Sequence, residues 1–442
     1  MRFFRSLYFH SLFFYGILLL AAFFIVSFFI NALFIPASVL FWLFLTACLW
    51  DIIFLYSSKR AIELRRDYPE KLSNGDHNDL TIALMNHYPS RVRVRVLEEF
   101  PEQLQLRNIE FELALGAHSV QSVQYQVRPT SRGMYRFQRC HALVRYLGLF
   151  ERKYTLNGNL DLACFPSFIQ MRKYQLLATT DRLVEMGVKH TRRVGSTFEF
   201  DHIREFVRGD EYRHLNWKAT AKHKKLLVNQ YQEEKSQPIY ALIDTGRVMR
   251  MPFNGLTLLD YAINASLVLA NAAVLKQDRA GMLTYSNEVG NHLAAERRNN
   301  QMKLISEKLY NIRTDFNESE FGNLYGFIQK RINKRSLLMM YTDFETLDAL
   351  SRQLPYLKMI AKTHVLVVVV FQNVELVDLA KTEGKNVFGV YNQIIAQKFV
   401  HEKLQVIQEL QRHGIQTLYT APENLTVNSI NKYLEIKARG LL

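Results

Sequence analysis

Hydrophobic and polar positions change their period along the chain. Residues 11–56 are almost continuously apolar, residues 67–166 alternate with a period of two, and residues 238–442 alternate apolar strands with helical stretches. Long apolar runs suit a bilayer, period two suits half-buried strands, and strand–helix alternation suits a parallel sheet. The sequence predicts an α/β protein with a transmembrane hairpin (1–60), an antiparallel β-sandwich (67–166), a linking segment (167–237) and a doubly wound parallel-sheet domain (238–442).

The apolar zone predicts two membrane-spanning helices. Ser11 to Ile30 lacks charged side chains, and a helix of about 20 residues reaches about 30 Å, the thickness of a bilayer core. A signal peptide is the alternative, but no small-residue cleavage site follows Ile30. Pro36 suits the start of a second helix, and Ala37 to Tyr56 forms the second span. We therefore expect residues 11–56 to contact membrane lipids.

Basic residues on both sides of the hairpin predict its orientation. They are Arg2 and Arg5 before it, and Lys59, Arg60, Arg65 and Arg66 after it. Positively charged flanks stay on the cytoplasmic side of a membrane. The expected location is the inner (cytoplasmic) membrane of a bacterial cell, crossed twice, with the soluble domains in the cytoplasm.

Asp51 lies inside the second predicted span. It is about one turn from the cytoplasmic boundary, so its carboxylate could reach water, and this interpretation is favoured because charges near span ends cost less than central ones. The alternative is a contact with a partner helix.

Residues 67–166 predict an immunoglobulin-like sandwich of short strands. Arg91 to Leu97 alternates strictly between basic and aliphatic residues. Arg91, Arg93 and Arg95 could hold phosphate, but a solvated sheet face is favoured because no aromatic stacking residues accompany them. Further strands are expected at 109–115, 120–127, 134–137 and 142–146.

Residues 238–442 predict strands and helices in alternation, preceded by a helix at 174–187 and a basic loop at 189–195. Strands are expected at 239–243, 281–285, 336–341, 364–371 and 415–419, and helices at 256–276, 300–310, 321–332, 347–360, 393–413 and 427–438. Ligands of such sheets bind beyond the carboxyl ends of the strands. Asp244 and Asp343 each follow a predicted strand, and two carboxylates there could bind a hard divalent cation.

The segment Phe198–Glu234, called the signature segment below, is rich in charge and contains the lone Trp217. One interpretation makes Arg204, Asp210, Arg213 and Trp217 a surface that binds a protein partner, since exposed Trp and Arg often anchor interfaces. The other pairs Asp210 with Arg213 locally and packs Trp217 onto the sheet. The second interpretation is favoured for each residue taken singly.

Composition narrows the function classes. The net charge of +15 allows nucleic acid, a membrane surface or an acidic partner, and anionic lipids account for it most economically. Cys48, Cys140 and Cys164 show no paired or metal-ligand spacing, which suits a reducing compartment. No phosphate-binding glycine loop, zinc-spaced His/Cys set or nucleophile motif occurs, so we expect neither an enzyme nor a nucleic-acid binder.

These residues carry a family resemblance. The signature segment resembles the signature of domain-of-unknown-function family 58, at Arg204, Gly209, Asp210, Arg213, Asn216, Trp217, Lys218, Ala221, Leu227 and Val228. The upstream segments Arg128–Tyr135 and Tyr146–Phe150 resemble sequences found in that family. Residues 230–442 resemble a von Willebrand factor type A domain.

The resemblance implies a magnesium site that this chain carries in altered form. In type A domains an Asp-x-Ser-x-Ser loop binds Mg²⁺ with a Thr and a second Asp. Here Gly246 and Val248 stand at the two serine positions, while Ser319 is the best match for the threonine. The implied metal set is therefore Asp244, Ser319 and Asp343, in a degenerate site where Mg²⁺ binding is not favoured.

The resemblance also implies a function. We expect a membrane-anchored, non-enzymatic adaptor that works with a MoxR-type AAA+ ATPase in complex assembly, folding or envelope stress. Other membrane proteins with type A domains are possible partners. A metal-dependent ligand-binding module, and a nucleic-acid binder or enzyme that uses the basic surface, are the alternatives.

Overall fold

A computed structural model describes residues 6–58, 61–107, 109–156, 158–179, 198–207, 210, 212–233, 236–383 and 386–441. The chain forms two compact units, Met1–Phe165 and Pro166–Leu442, called here the N-terminal and C-terminal units. The loop predicted at 189–195 lies outside the described residues, as does the end of the helix predicted at 174–187.

The N-terminal unit combines two long helices with short strands. The helices are α1 (Ser11–Phe29) and α2 (Phe34–Tyr56). The strands are β1 (Leu7–Phe9), β2 (Ile62–Asp67), β3 (Lys71–Ser73), β4 (Asn78–Asn86), β5 (Val92–Glu98), β6 (Glu110–Leu115), β7 (Val120–Val127), β8 (Gly133–Phe137), β9 (Cys140–Arg145), β10 (Phe150–Leu156) and β11 (Leu160–Phe165).

Most strands of this unit pair antiparallel. They form a five-stranded sheet in the order β1-β10-β9-β5-β6 and two three-stranded sheets, β2-β4-β7 and β3-β11-β8. Because side chains alternate across a strand, β5 buries Val92, Val94 and Val96 on one face. Ile82 and Leu84 of β4 belong to the same core. The period-two pattern thus corresponds to two half-buried sheets that share one apolar core.

Strands of the N-terminal unit bracket the helical hairpin. β1 precedes α1 and pairs with β10, Leu7 opposite Arg152, while β2 follows α2 and pairs with β4. The predicted sandwich begins only at residue 67, so it leaves out both of these strands. Strands of two different sheets therefore flank the hairpin along the chain.

Asp51 does not reach water, which corrects the favoured prediction. Its side chain is 0% exposed. One carboxylate oxygen accepts a hydrogen bond from the backbone N–H of Leu147 at 3.1 Å, and the other accepts from Leu149 at 3.2 Å and Phe150 at 3.0 Å. Gly148 in this loop has a φ of +92°, which favours glycine. Asp51 thus holds the 146–150 loop of the sheet onto α2.

The C-terminal unit alternates strands and helices. Its strands are β12 (Phe198–Glu205), β13 (Leu227–Glu233), β14 (Pro238–Asp244), β15 (Pro252–Phe253), β16 (Leu256–Thr257), β17 (Arg279–Tyr285), β18 (Val289–Glu296), β19 (Leu337–Tyr341), β20 (Val365–Phe371) and β21 (Gln416–Thr420). Its helices are α3 (Phe168–Thr179), α4 (Trp217–His223), α5 (Leu258–Leu275), α6 (Gln301–Tyr310), α7 (Phe321–Arg331), α8 (Leu347–Thr363), α9 (Val374–Lys381), α10 (Val387–Arg412) and α11 (Leu425–Ala438).

A six-stranded sheet organises this unit. Its order is β18-β17-β14-β19-β20-β21. All neighbours run parallel except β18, which is antiparallel to β17 at the edge. The strand order reverses between β14 and β19, because β17 and β18 lie on one side and β20 and β21 on the other. The loops after β14 and β19 therefore flank the point where open α/β sheets bind ligands.

Helices cover both faces of the sheet. One apolar core joins the sheet to α5 and α11, and another joins it to α7, α8 and α10. Every residue of β20 is buried, as expected for a strand covered on both faces.

Three described helices, α1, α2 and α5, are long and apolar enough to cross a membrane. In α5, 78% of the most apolar window is buried inside the unit, against 11% in α1 and 17% in α2. Packing against the sheet and α11 accounts for the apolar residues of α5. The exposed apolar surfaces of α1 and α2 suit membrane association, as the sequence predicts.

Candidate functional site

The carboxyl ends of β14 and β19 bring the two predicted aspartates to one edge of the sheet. The strands pair in parallel, with Ile243 opposite Tyr341. Asp244 is the last residue of β14, while Thr342 and Asp343 directly follow β19. We call this region, with Ser319 from the loop before α7, the carboxyl edge.

Asp244 forms the buried centre of the carboxyl edge. Its side chain is 1% exposed. One carboxylate oxygen accepts hydrogen bonds from the Ser319 hydroxyl and from the Gly246 N–H at 2.8 Å. The other accepts from the Thr342 hydroxyl at 2.6 Å. Burial raises the pKa of Asp244, although these hydrogen bonds favour the charged form.

Gly246 leaves no room for the serine that a metal-binding loop would carry. A Cβ at this position would overlap the Ser319 hydroxyl. It would also lie 3.0 Å from an Asp244 oxygen and 3.2 Å from the Asn317 carbonyl. The neighbouring Thr245 points away and donates to the Tyr285 carbonyl at 3.1 Å. The hydroxyl of Ser319 therefore occupies the space beside Asp244.

Asp343 pairs with a lysine that the sequence did not indicate. The Lys403 ammonium, on α10, lies 2.7 Å from both Asp343 carboxylate oxygens and 2.9 Å from the Phe344 carbonyl. The side chains are 14% exposed for Lys403 and 4% for Asp343. Burial raises the pKa of Asp343, and the Lys403 charge opposes that shift. The positive charge faces the carboxylate that would bind a metal.

The predicted metal set does not fit a magnesium ion as arranged. The structure brings Asp244 and Ser319 into contact, but both oxygens of Asp244 already accept hydrogen bonds, and both of Asp343 face an ammonium group. Mg²⁺ needs near-octahedral oxygen ligands. Among the described residues no cluster of three or more His, Cys, Asp or Glu side chains could hold a metal ion.

Two cavities open at the carboxyl edge. The smaller, about 180 Å³, is lined by Asp244, Ser319 and Thr342 and by the exposed Arg247 and Arg352. Arg247 and Arg352 lie 3.9 Å and 4.0 Å from the two Glu318 carboxylate oxygens. The larger cavity, about 390 Å³, is mainly apolar and has the Asp343–Lys403 pair in its wall. Such concave sites at the switch point of a sheet suit ligand binding.

The signature segment folds into the β12–β13 hairpin with α4 beside it. Arg204 and Asp210 form a two-pronged ion pair with distances of 2.8 Å and 2.7 Å. Asp210 also accepts from the Val207 N–H at 2.9 Å. Asp210 therefore has Arg204 as a partner, because the hairpin brings the end of β12 beside the turn, and the predicted Asp210–Arg213 pair stays a prediction. The side chain of Arg213 lies outside the described part of the chain.

Asn216 organises the start of α4. Its side chain accepts from the Ala219 N–H at 2.9 Å and donates to Asn229 at 2.8 Å. Its backbone N–H donates to the Leu227 carbonyl at 2.9 Å. The resemblance at Arg204, Asp210 and Asn216 thus falls on residues that build the hairpin.

Trp217 does not pack onto the sheet, which corrects that interpretation. Its side chain is 69% exposed. Four other large apolar side chains of the segment are also exposed: Ile203 (41%), Val207 (61%), Tyr212 (75%) and Leu226 (51%). We call these five residues the hairpin surface. These residues share one segment of the chain, and exposed apolar patches mark interaction sites.

The basic strand of the N-terminal unit has carboxylate neighbours. Arg95 lies 3.4 Å from Glu110 and 3.1 Å from Glu151. Arg93 of β5 and Arg91, which directly precedes the strand, are exposed. The sheet face around β5 thus carries both basic and acidic side chains, which agrees with its interpretation as a solvated sheet face.

Lys403 and Thr342 are the site residues that sequence reasoning missed. Thr342 directly precedes Asp343 but is not among the predicted metal ligands. Lys403 lies sixty positions after Asp343 and on a helix rich in polar residues. No local signal distinguishes it from the exposed lysine Lys398 on the same helix.

Comparisons with known proteins agree with part of the resemblance. The family described as "Protein of unknown function DUF58" matches residues 202–383. The uncharacterized protein YeaD of Bacillus subtilis (strain 168) is 24% identical over 220 residues, which cover 46% of this chain and 53% of YeaD. The chain therefore spans about half the length of the curated relative that it matches.

Solved structures share only a weak likeness with the chain. The ASH/PapD-like domain of human CEP192 is 17% identical with a TM-score of 0.19, over 24% of this chain and 87% of that one. Proximal thread matrix protein 1 from the mussel byssus is 11% identical with a TM-score of 0.28, over 46% and 47%. These scores carry no argument about fold or function.

Proposed function

We propose that this protein is a membrane-anchored, non-enzymatic adaptor whose C-terminal unit is a von Willebrand factor type A-like domain that binds a protein partner. The observation that carries the proposal is the hairpin surface, where Trp217 and Tyr212 stand exposed beside a hairpin built by the family-like residues. Tryptophan and tyrosine are among the side chains that most often dominate binding energy in protein interfaces.

Other features support the type A-like assignment. The six-stranded sheet has one antiparallel edge strand, and aspartates follow the two strands at its switch point. The N-terminal unit is proposed as an immunoglobulin-like sandwich that carries the membrane hairpin. The inner membrane location, with the soluble units in the cytoplasm, belongs to the same proposal.

The resemblance to domain-of-unknown-function family 58 is the basis for choosing a MoxR-type AAA+ ATPase as the partner. The adaptor would present this ATPase to client complexes during assembly, folding or envelope stress. The net charge of +15 is assigned to anionic lipids of the membrane rather than to nucleic acid.

Crosslinking in native membranes tests this proposal. Lys218, Lys222, Lys224 and Lys225 are exposed beside Trp217, so a lysine-reactive crosslinker should join them to the ATPase. Replacing Trp217 and Tyr212 by Ser should remove the ATPase from the crosslinked products. Peptide mass spectrometry identifies both the partner and the joined lysines.

A second exposed apolar surface provides the matched control. α10 exposes Phe388 (72%) and Tyr391 (61%). The Phe388→Ser, Tyr391→Ser variant removes two aromatic side chains of similar exposure and should retain the ATPase. An ATPase yield that is unchanged in the Trp217, Tyr212 variant would refute the proposed surface. Loss only in the α10 variant would place the interface on α10 instead.

A further inference from the structure

The Lys403 ammonium is largely buried and lies beside a carboxylate of opposite charge. It contacts Asp343 through both carboxylate oxygens, at 2.7 Å each, and the Phe344 carbonyl at 2.9 Å. These are three oxygen atoms around one cation at the carboxyl end of β19. Hydrogen bonds from an ammonium to a carboxylate are among the stronger ones in proteins.

The ammonium compensates charge that would otherwise be buried alone. Asp343 is 6% exposed and Asp244, in the neighbouring loop, is 1% exposed. Hydroxyl and backbone donors satisfy Asp244, whereas Asp343 has a full positive charge beside it. A buried carboxylate that lacks both a cation and hydrogen-bond donors is strongly unfavourable. Lys403 therefore meets the need that a bound metal ion would meet at such an edge.

The packing of Ser319 against Gly246 also argues against a bound metal ion. Gly246 has no side chain to offer to a metal, and its Cβ position is filled by the Ser319 hydroxyl. The Asp244 oxygens face neighbouring donors within the protein. Each carboxylate oxygen of Asp244 and Asp343 thus accepts a hydrogen bond from a donor within the protein.

We propose that Lys403 is the resident cation of the carboxyl edge, so that this edge is organised without a divalent metal ion, and that removal of the ammonium converts the edge into a divalent cation site. Both carboxylate oxygens of Asp343 and the Phe344 carbonyl, which the ammonium now contacts, would then be available to Mg²⁺ or Mn²⁺, which prefer oxygen ligands. The proposal does not depend on which protein binds the hairpin surface.

Calorimetric titration of the full chain in detergent with MgCl₂ and MnCl₂ tests the proposal. The wild type should show no binding of either ion. Lys403→Met should bind at least one of them, with an affinity at least about tenfold above the detection limit set by the wild-type titration. Lys398→Met is the matched control, because Lys398 lies on α10 with its side chain 75% exposed. It should behave like the wild type.

Thermal unfolding provides a second readout. Lys403→Met should lower the melting temperature of the C-terminal unit, and the binding ion should restore part of the loss, because a ligand of the folded state stabilises it. The double variant Lys403→Met, Asp343→Asn also removes the carboxylate that loses its cation. It should be more stable than Lys403→Met alone and should gain nothing from either ion.

The outcomes separate clearly. Wild-type protein that binds Mg²⁺ or Mn²⁺ as tightly as Lys403→Met would overturn the proposal, and so would a folded Lys403→Met variant that binds neither ion. If Lys403→Met does not fold, rescue by Asp343→Asn together with a wild type that binds neither ion supports the resident-cation role. Failure of that rescue contradicts it.

Discussion

At the scale of single residues, Asp51 is a buried carboxylate on an apolar helix, and Trp217 is an exposed indole on α4. The sequence places Asp51 near a membrane boundary, where water is the cheapest partner for a charge. The structure instead gives it three backbone N–H donors from the 146–150 loop. Trp217 shows the reverse change, from an expected packing residue to an exposed one.

Replacing Asp51 tests its structural role. Asp51→Leu should destabilise the N-terminal unit by about 1 to 3 kcal/mol, because buried N–H groups lose their acceptor. Thermal unfolding of the full chain in detergent, followed for the N-terminal unit, measures the change. Asp51→Asn retains one acceptor oxygen and should cost less.

The neighbouring Trp50 supplies the control for Asp51. Its side chain is 61% exposed on α2, so Trp50→Leu keeps an apolar surface and should change stability little. A loss of stability in Trp50→Leu equal to that in Asp51→Leu would contradict a specific role for the carboxylate.

At the scale of elements, strong hydrophobic patterns predict structure better than weak ones. The buried strand at 365–371 and the helix α5 were predicted within about two residues at each end, as is usual for such boundaries. β18 was missed because Val289–Glu296 is an edge strand of mixed residues, with neither the period of a strand nor that of a helix.

α10 begins at Val387, before the predicted start at Gln393. Its first turn contains Val, Phe and Gly, which are poor helix formers, but Asn386 caps it by accepting from the Gly389 N–H at 2.7 Å.

Replacing glycine by alanine should have opposite effects on stability at two positions of the C-terminal unit. Gly414 follows α10 with a φ of +75°, and Gly326 lies within α7; a Cβ at either position meets no atom within 4 Å. Gly414→Ala should destabilise by about 1 to 2 kcal/mol, because alanine disfavours the left-handed region. Gly326→Ala should stabilise by about 1 kcal/mol, because alanine favours the helix.

Thermal unfolding of the C-terminal unit measures both glycine variants. Each serves as the control for the other, since neither adds a steric clash. Stabilisation by Gly414→Ala would show that the end of α10 does not need the left-handed conformation in solution.

At the scale of the whole molecule, the apolar helices and the two compact units define the organisation. α1 and α2 expose apolar surface, whereas α5, which is less apolar but still long and apolar enough to cross a membrane, is buried inside the C-terminal unit. Length and mean hydropathy alone admit all three helices as membrane spans. Tertiary packing decides that only the N-terminal pair offers its apolar surface to a membrane.

Protease digestion of inner-membrane vesicles tests the proposed topology. In inverted vesicles both soluble units should be degraded, because basic residues on both flanks of the hairpin place the units on the cytoplasmic side. In spheroplasts the same units should be protected until detergent is added. Immunoblotting against the C-terminal unit follows both digestions. Protection in inverted vesicles with digestion in spheroplasts would reverse the assigned orientation.

The sequence by itself determined the features that depend on local order along the chain. These are the two apolar helices, the alternating strands, and the placing of Asp244 and Asp343 after strands of a parallel sheet. Period and composition report such features because each residue's environment is set by near neighbours. Ser319, which the resemblance matches to a metal-binding threonine, donates a hydrogen bond to Asp244.

Only the tertiary structure decided which groups surround those residues. Lys403 reaches Asp343 from sixty positions away, and Asp51 reaches the 146–150 loop from about a hundred. No periodicity records such pairings, because they arise when separate elements pack together. The same packing buries α5, exposes Trp217 and fills the space at Gly246, and it sets an ammonium group beside Asp343, one of the two carboxylates that could bind a divalent cation.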